Sequence, residues 1–344
     1  MKNQLFGVVT LLGTTLIWGS AFIAQSVGMD SIGPFTFQFF RCGLAVLFLF
    51  PLSFFMDRKK GTALWKQEWT NPGLWRSGLI CGTALFVAAS LQQMGLVYTD
   101  AGKAGFLTAM YIVFVPFLGL FTGQKPGRNA VLSLIPAVVG LYLLSWTGSG
   151  SINKGDLMLL GCAAAFSVQI LLIDRHCGQL DGVKLNCIQA TVVTVLSLPF
   201  ALLTEQIRFQ DILSAAMPLA YAGILSMGVA YSLQIVGQRR VPPTAAALLM
   251  SLESVFAALF GWLLLHETMT GSELFGCALV FCAVILSQLP ERKASKSLAL
   301  SSSPRIFVFS ENPGIFLPIY CILLSSSLCH RQNASVGALA RFRS

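Results

Sequence analysis

The chain has 344 residues, of which 55% are hydrophobic and only 11% are charged. Soluble domains carry about 25% charged residues, so this composition excludes a water-soluble globular protein and predicts a polytopic membrane protein. The formal net charge is +9. The basic residues that give it are expected at helix ends that stay in the cytoplasm. Because they form no single basic patch, nucleic acid is not predicted as a partner.

The hydropathy pattern predicts an all-α membrane fold of ten transmembrane helices, because each apolar run approaches the ~20 residues that cross a bilayer. In chain order the predicted spans are residues 6–27, 34–55, 77–97, 104–121, 129–146, 156–173, 185–203, 216–236, 244–265 and 273–289. Residues 57–76 are predicted to form a polar loop, and a Gly/Ser-rich segment in the middle of the chain is typical of a flexible linker.

The two halves of this pattern repeat each other. Residues 91–145 match residues 233–287 at a constant offset, and the first two helices of each half match at a slightly larger one. Matched pairs include Gln92 with Gln234, Gly95 with Gly237, Gly119 with Gly261, Leu12 with Leu160, Gly13 with Gly161 and Pro51 with Pro199. Five helices is an odd number, so the second repeat is predicted to be inverted relative to the first, as in many secondary transporters.

The predicted organisation therefore has four parts. Residues 1–147 form the first repeat, 148–155 the linker, 156–290 the second repeat and 291–344 a tail. The tail is predicted to be poorly ordered or to lie on the membrane surface, because its apolar part is too short to span a bilayer. An eleventh span and a frameshifted end are the alternatives.

Lysine and arginine predict the orientation. With the N-terminus inside, inner loops hold fifteen of these residues and outer loops hold three. This asymmetry predicts that both ends of the ten-helix core lie in the cytoplasm, in a cell membrane.

Glu253 lies near the middle of predicted helix 9. An ionised carboxylate at that depth costs roughly 2.5–3.5 kcal/mol, so the side chain is expected to face the bundle interior or a wet cavity. Proton uptake and release at Glu253 is one hypothesis for its role. The alternative is a structural acid that pairs with a neighbouring polar group.

Arg41 lies within roughly 5–6 Å of the midpoint of predicted helix 2, and it cannot give up its charge. It is expected to pair with Glu253 or to meet an anionic group of a substrate. A fixed ion pair, or a side chain that reaches the outer interface, is the structural alternative. Its equivalent in the second repeat is Gln189, so any charged site is asymmetric.

Further polar and aromatic side chains complete the predicted pathway. Gln92 and Gln234 are favoured because they are repeat equivalents, and Trp18 and Tyr111 could form walls. The alternative is that amides only join helices, at ~0.6–2 kcal/mol per hydrogen bond, and that rings only pack. The predicted substrate or proton pathway consists of Glu253, Arg41, Gln92, Gln234, Gln189, Trp18 and Tyr111.

Motifs of enzymes and metal sites are missing from the sequence. It contains no GxSxG, HExxH, GxGxxG or Walker motif, its nine cysteines form no CxxC pair, and its three histidines are scattered. The expectation is a protein without catalytic residues, metal or cofactor.

Several of these features together resemble a known family. The segments TLIWGSAFIA and SLESVFAALFGWLLLHE, the latter ending in Glu267, together with Arg41 and the two repeats, resemble EamA-type permeases of the drug/metabolite transporter superfamily over about residues 7–289. Where that family usually has proline after the glutamate, this chain has Ser254. Tyr111 and Lys125 stand at the first-repeat positions of Glu253 and Glu267.

The resemblance implies a ten-helix secondary transporter that works by alternating access, typically an exporter of amino acids or other metabolites, with proton coupling as a hypothesis. A non-transporting membrane sensor or scaffold is the alternative. The partners that this interpretation admits are the lipid bilayer, a small polar metabolite and a second copy of the chain.

Overall fold

The structure, a computed structural model, describes residues 2–57, 62–99, 101–145, 153–176, 178–265 and 270–289. Over these ranges every regular element is a helix. The helices are α1 (Lys2–Met29), α2 (Pro34–Asp57), α3 (Thr62–Trp69), α4 (Pro72–Leu96), α5 (Ala101–Ala109), α6 (Tyr111–Phe121), α7 (Arg128–Ser145), α8 (Lys154–His176), α9 (Gly182–Thr204), α10 (Phe209–Ser214), α11 (Ala216–Ala220), a π-helix (Tyr221–Ala230), α12 (Tyr231–Gln238), α13 (Pro243–Met250), α14 (Leu252–Leu265) and α15 (Gly271–Gln288).

Within these ranges, nine segments are long and apolar enough to cross a membrane, and Arg128–Leu144 is a shorter apolar helix. These ten correspond to the ten predicted spans, so the chain is a multi-pass membrane protein with the predicted fold class. The predicted tail, residues 291–344, and most of the predicted linker lie outside the described residues.

The predicted polar loop at residues 57–76 is wrong in two respects. It contains the short helix α3, and the third membrane helix begins at Pro72 and not at residue 77. Asn71 caps that helix, since its Oδ1 accepts a hydrogen bond from Gly73 N at 2.8 Å, and proline suits the first helical position. Trp65 anchors α3, because it packs on Phe50 with a centroid distance of 5.7 Å and donates to Ser53 Oγ at 3.1 Å.

The repeats are inverted, as predicted. At one end of the pair α2 and α9, Glu205 at the close of α9 accepts hydrogen bonds from the backbone N–H groups of Phe35 and Thr36, each at 2.8 Å. At the other end, Lys184 Nζ donates to Asp57 Oδ2 at 2.5 Å. The two equivalent helices are therefore antiparallel, and this is possible only if one repeat is upside down relative to the other.

Matching glycines join the repeats at equivalent crossings. A Cβ added to Gly95 would lie 3.2 Å from the carbonyl oxygen of Gly155, and one added to Gly237 would lie 3.0 Å from that of Gly7. Gly95 and Gly237 are repeat equivalents, and so are Gly7 and Gly155. The crossing of α4 with α8 is thus reproduced by the crossing of α12 with α1, as a two-fold pseudosymmetry requires.

Predicted spans 4 and 9 are each broken in the middle, at Met110 and at Ser251. Around Met110 the backbone turns tightly, with hydrogen bonds from Met110 N to Leu107 O at 3.3 Å and from Val113 N to Met110 O at 3.0 Å. Broken helices in transporters commonly line the substrate site. Here one break directly precedes Tyr111 and the other lies two residues before Glu253. The π-helix within predicted span 8 contributes Ser226 to the same cavity as these two residues.

Candidate functional site

A small cavity lies between the two repeats, with a volume of about 30 Å³. It is lined by Trp18, Phe22, Gln25, Arg41, Gln92, Tyr111, Phe166, Ile170, Ser226, Tyr231, Gln234, Met250 and Glu253. Such a volume holds about two water molecules, whereas ligand sites usually measure about 300–1,000 Å³. The structure therefore has this cavity in a closed conformation.

Six of the seven residues predicted from the sequence line this cavity. They are Glu253, Arg41, Gln92, Gln234, Trp18 and Tyr111. Gln189 is fully buried behind the wall, where its Oε1 accepts a hydrogen bond from Gln169 Nε2 at 3.4 Å. Gln234 Nε2 in turn donates to Gln169 Oε1 at 3.5 Å. Gln169 and Gln234 thus connect Gln189 to the cavity.

Glu253 is held at the start of α14 with only 4% of its surface exposed. Its Oε1 accepts a hydrogen bond from the hydroxyl of Tyr111 at 3.0 Å. The next residue, Ser254, replaces the proline of the family pattern, and its hydroxyl donates to the carbonyl oxygen of Gly105 at 3.0 Å. The serine therefore ties α14 to the other broken helix and fixes the backbone that presents Glu253.

Arg41 is 3% exposed and donates from Nη1 to Gln25 Oε1 at 2.5 Å. Its guanidinium lies 5.9 Å from the ring centre of Phe37. The predicted ion pair with Glu253 is not formed in this conformation, since among the residues that the structure describes no carboxylate oxygen lies within 4.0 Å of Arg41. The predicted alternative of a side chain that reaches the outer interface does not hold either.

Aromatic rings form one wall of the cavity. Trp18 and Tyr231 pack with ring centres 4.8 Å apart. The indole N–H of Trp18 is buried and has no hydrogen-bond partner among the residues that the structure describes, so it is available to a polar ligand. The apolar lining residues Phe22, Phe166, Ile170 and Met250 were not predicted, because in a membrane helix the sequence does not distinguish a ring that faces a cavity from one that faces lipid.

A second and larger cavity of about 1,070 Å³ lies at one end of the bundle. Its lining includes the first residues of α1, α7 and α13 and the last residues of α15. On α8, Asp174 lines this cavity and Ile170 lines the central one, a separation of four residues or about 6 Å. Leu171, a buried residue of the apolar core, lies between these two residues in sequence, so along α8 the barrier between the cavities is little more than one helical turn thick.

In the part of the chain that the structure describes, no group of three or more histidine, cysteine, aspartate or glutamate side chains is placed to hold a metal ion. What the central cavity offers instead is a buried cation, a buried carboxyl group and several amides. This chemistry suits binding of a small charged or polar molecule.

Comparison with known proteins places these features in one family. The EamA-like transporter family matches residues 5–146 and 153–289. An uncharacterized transporter of Archaeoglobus fulgidus is 31% identical over 288 residues, which cover 83% of this chain and 87% of that protein. The uncharacterized transporter YoaV of Bacillus subtilis is 23% identical, with 83% of this chain and 97% of that protein covered.

Two further likenesses concern an exporter and a solved structure. The threonine/homoserine exporter RhtA of Escherichia coli K12 is 26% identical over 255 residues, which cover 65% of this chain and 84% of RhtA. A solved crystal structure aligns with a TM-score of 0.67 at 17% sequence identity and covers 82% of this chain and 96% of that one. At this identity the structural likeness shows the fold alone.

Proposed function

Because the chain belongs to the EamA-like transporter family, we propose that it is a secondary transporter that moves a small polar metabolite across the cell membrane by alternating access. The proposed metabolite is an amino acid, and the proposed direction is export. In the proposed orientation both ends of the ten-helix core lie in the cytoplasm.

One observation carries the proposal for an amino acid. Arg41 and Glu253 line the same closed cavity, and each makes its hydrogen bond to a neutral side chain, Gln25 or Tyr111, and not to the other. A zwitterion complements this pair of groups, with its carboxylate toward Arg41 and its ammonium group toward Glu253. Charge-assisted hydrogen bonds of this kind are about twice as strong as neutral ones.

The larger cavity provides a route to the central site in the proposed orientation. Its lining includes Lys125, Pro126 and Pro242. These residues belong to loops rich in lysine and arginine, which are the loops expected on the cytoplasmic side. In this orientation the cavity is a vestibule from which a substrate reaches the central site once the barrier near Leu171 opens. The name of RhtA as a threonine/homoserine exporter supports the same substrate class and direction.

Glu253 is the proposed coupling group. Burial away from water disfavours the ionised form of a carboxyl group, and exposure to an open vestibule restores it. A proton that binds Glu253 in one conformation and leaves it in the other would connect export to the proton gradient.

Counterflow in proteoliposomes tests the proposal. The purified protein is reconstituted, loaded with each unlabelled amino acid in turn, and offered the same radiolabelled amino acid outside. We expect transient accumulation for at least one amino acid, and none in protein-free liposomes. Binding of an amino acid without any counterflow would instead favour the sensor or scaffold.

A further inference from the structure

Two hydrogen-bond donors converge on a single oxygen at the edge of the central cavity. Arg41 Nη1 and Gln93 Nε2 both donate to Gln25 Oε1, each at 2.5 Å. The three side chains come from three helices, α2, α4 and α1, and none is more than 5% exposed. A guanidinium and a second donor aimed at one point form the arrangement that usually receives a carboxylate.

The amide of Gln25 is a poor match for this position. It is neutral, and among the described residues no carboxylate oxygen lies within 4.0 Å of Arg41. Arg41 Nε and Gln93 Oε1 are also buried, and neither has a hydrogen-bond partner in the described part of the chain. A buried cation is stabilised far better by an anion than by an amide dipole.

Gln25 is placed so that a ligand in the cavity could replace it as the partner of Arg41. Both Gln25 and Arg41 line the cavity, whereas Gln93 is fully buried behind them. The Gln25 amide also donates from Nε2 to the carbonyl oxygen of Ala21 at 3.2 Å, within its own helix. A rotation of the Gln25 side chain breaks its bonds to Ala21, Arg41 and Gln93 and leaves the guanidinium of Arg41, which lines the cavity, without its partner.

We propose that Gln25 is a stand-in ligand: its amide oxygen occupies the position of a substrate carboxylate oxygen in the closed conformation, and the carboxylate of an amino acid displaces it. This inference rests on the proposed function and adds a specificity-determining residue to it. A molecule without a carboxylate brings nothing that can replace Gln25 at Arg41, so Gln25 selects for carboxylate-bearing substrates.

Two substitutions at this position separate competition from a structural role. Gln25→Met removes the competing oxygen, so the dissociation constant for a bound amino acid is expected to fall by about tenfold, the scale of one hydrogen bond to a charged group. Gln25→Glu supplies a tethered carboxylate that holds Arg41, so the same dissociation constant is expected to rise by about tenfold or more. The methyl esters of the same amino acids are expected to respond to neither change.

The matched control is Gln38→Met. Like Gln25, Gln38 is a buried glutamine, but it lies on α2 and does not line the cavity. It donates to Ser90 Oγ and Ser197 Oγ, both at 3.1 Å. Its substitution is expected to lower thermal stability without tightening amino-acid binding. If Gln25→Met does not fold, Gln25→Asn replaces it, because the shorter side chain no longer reaches Arg41.

The measurement is isothermal titration calorimetry of the purified full chain in detergent, with the twenty amino acids and the methyl ester of each one that binds. Opposite shifts for Gln25→Met and Gln25→Glu, seen for acids and not for esters, support the stand-in role. Shifts in the same direction, or equal shifts for acids and esters, overturn it and leave the proposed function intact. If the unsubstituted protein binds no amino acid, the proposed substrate class falls and the stand-in role falls with it.

Discussion

Tyr111 and Glu253 occupy equivalent positions in the two repeats, and they contact each other directly, with the hydroxyl of Tyr111 3.0 Å from Glu253 Oε1. Two equivalent residues can touch only where they lie close to the axis that relates the repeats. The central cavity therefore sits on the pseudo-two-fold axis, the position from which both sides of the membrane are equally reachable. The repeats differ in chemistry at this point, because one supplies a phenol and the other an acid.

This contact predicts a role for the phenol. Tyr111→Phe removes the hydrogen bond to Glu253 and leaves a buried carboxyl group unpaired, which costs about 1–3 kcal/mol. Counterflow activity is expected to fall by about tenfold or more, with a lower melting temperature in detergent. The control is Tyr98→Phe, since Tyr98 is exposed and should keep wild-type values. Full activity in Tyr111→Phe would show that the hydroxyl does not position Glu253.

Glu253→Gln keeps the size of the side chain and removes the titratable group. Export driven by a pH gradient is expected to be lost. Counterflow needs no net proton movement and is expected to persist at a reduced rate, because the amide still accepts a hydrogen bond from the ammonium group of the substrate but without the charge. The control is Glu273→Gln, because Glu273 lies in an exposed capping box at the start of α15. Equal loss of counterflow and of pH-driven export in Glu253→Gln would assign the acid to substrate binding alone.

The close helix contacts at Gly95 and Gly237 predict that an alanine at either position lowers the stability by a similar amount. A Cβ on Gly237 would lie 2.8 Å from Leu11 Cγ, and one on Gly95 would lie 2.6 Å from Leu159 Cγ. Gly237→Ala and Gly95→Ala are each expected to lower the free energy of unfolding by about 1–3 kcal/mol, because the packed helices must move apart. Thermal unfolding in detergent measures this, with Gly271→Ala as the control, since a Cβ there has no atom within 4 Å. Unchanged melting in both variants would contradict the close crossings.

The buried lysine at the start of α9 is predicted to stabilise the end of the bundle where α2 and α3 meet α9. Lys184 is fully buried and contacts carboxylate oxygens of Asp57 and Glu68. Lys184→Met leaves these two acids without their shared cation and is expected to cost about 3–5 kcal/mol of unfolding free energy. Lys66→Met on the exposed side of α3 is the control. A loss no larger than that of the control would mean that the ion cluster does not hold α2, α3 and α9 together.

Much of this architecture could be predicted because membrane helices obey strong rules. Length, hydropathy and the internal repeat give the ten spans and their inversion, and a lone acid in an apolar run is conspicuous. The internal repeat also favoured Gln92 and Gln234 over the other glutamines, and both line the cavity.

The remaining glutamines show where the sequence stops being informative. Gln25, Gln93 and Gln189 all lie at membrane depth, yet Gln25 lines the cavity while Gln93 and Gln189 are buried behind it. The rotation of each helix about its own axis decides this, and that rotation depends on packing with neighbours. Helix α3 escaped prediction because eight residues are too few to show a clear period, and its stability comes from contacts of Trp65 and Lys184 that are distant in sequence.

The central claim is that the cavity between the repeats binds the transported molecule through Arg41. Amino-acid counterflow by Arg41→Gln in proteoliposomes tests it most directly, with Lys66→Gln as a charge-matched control outside the cavity. The account predicts that Arg41→Gln loses counterflow while Lys66→Gln retains it and both remain folded in detergent. Undiminished counterflow in Arg41→Gln would contradict the account.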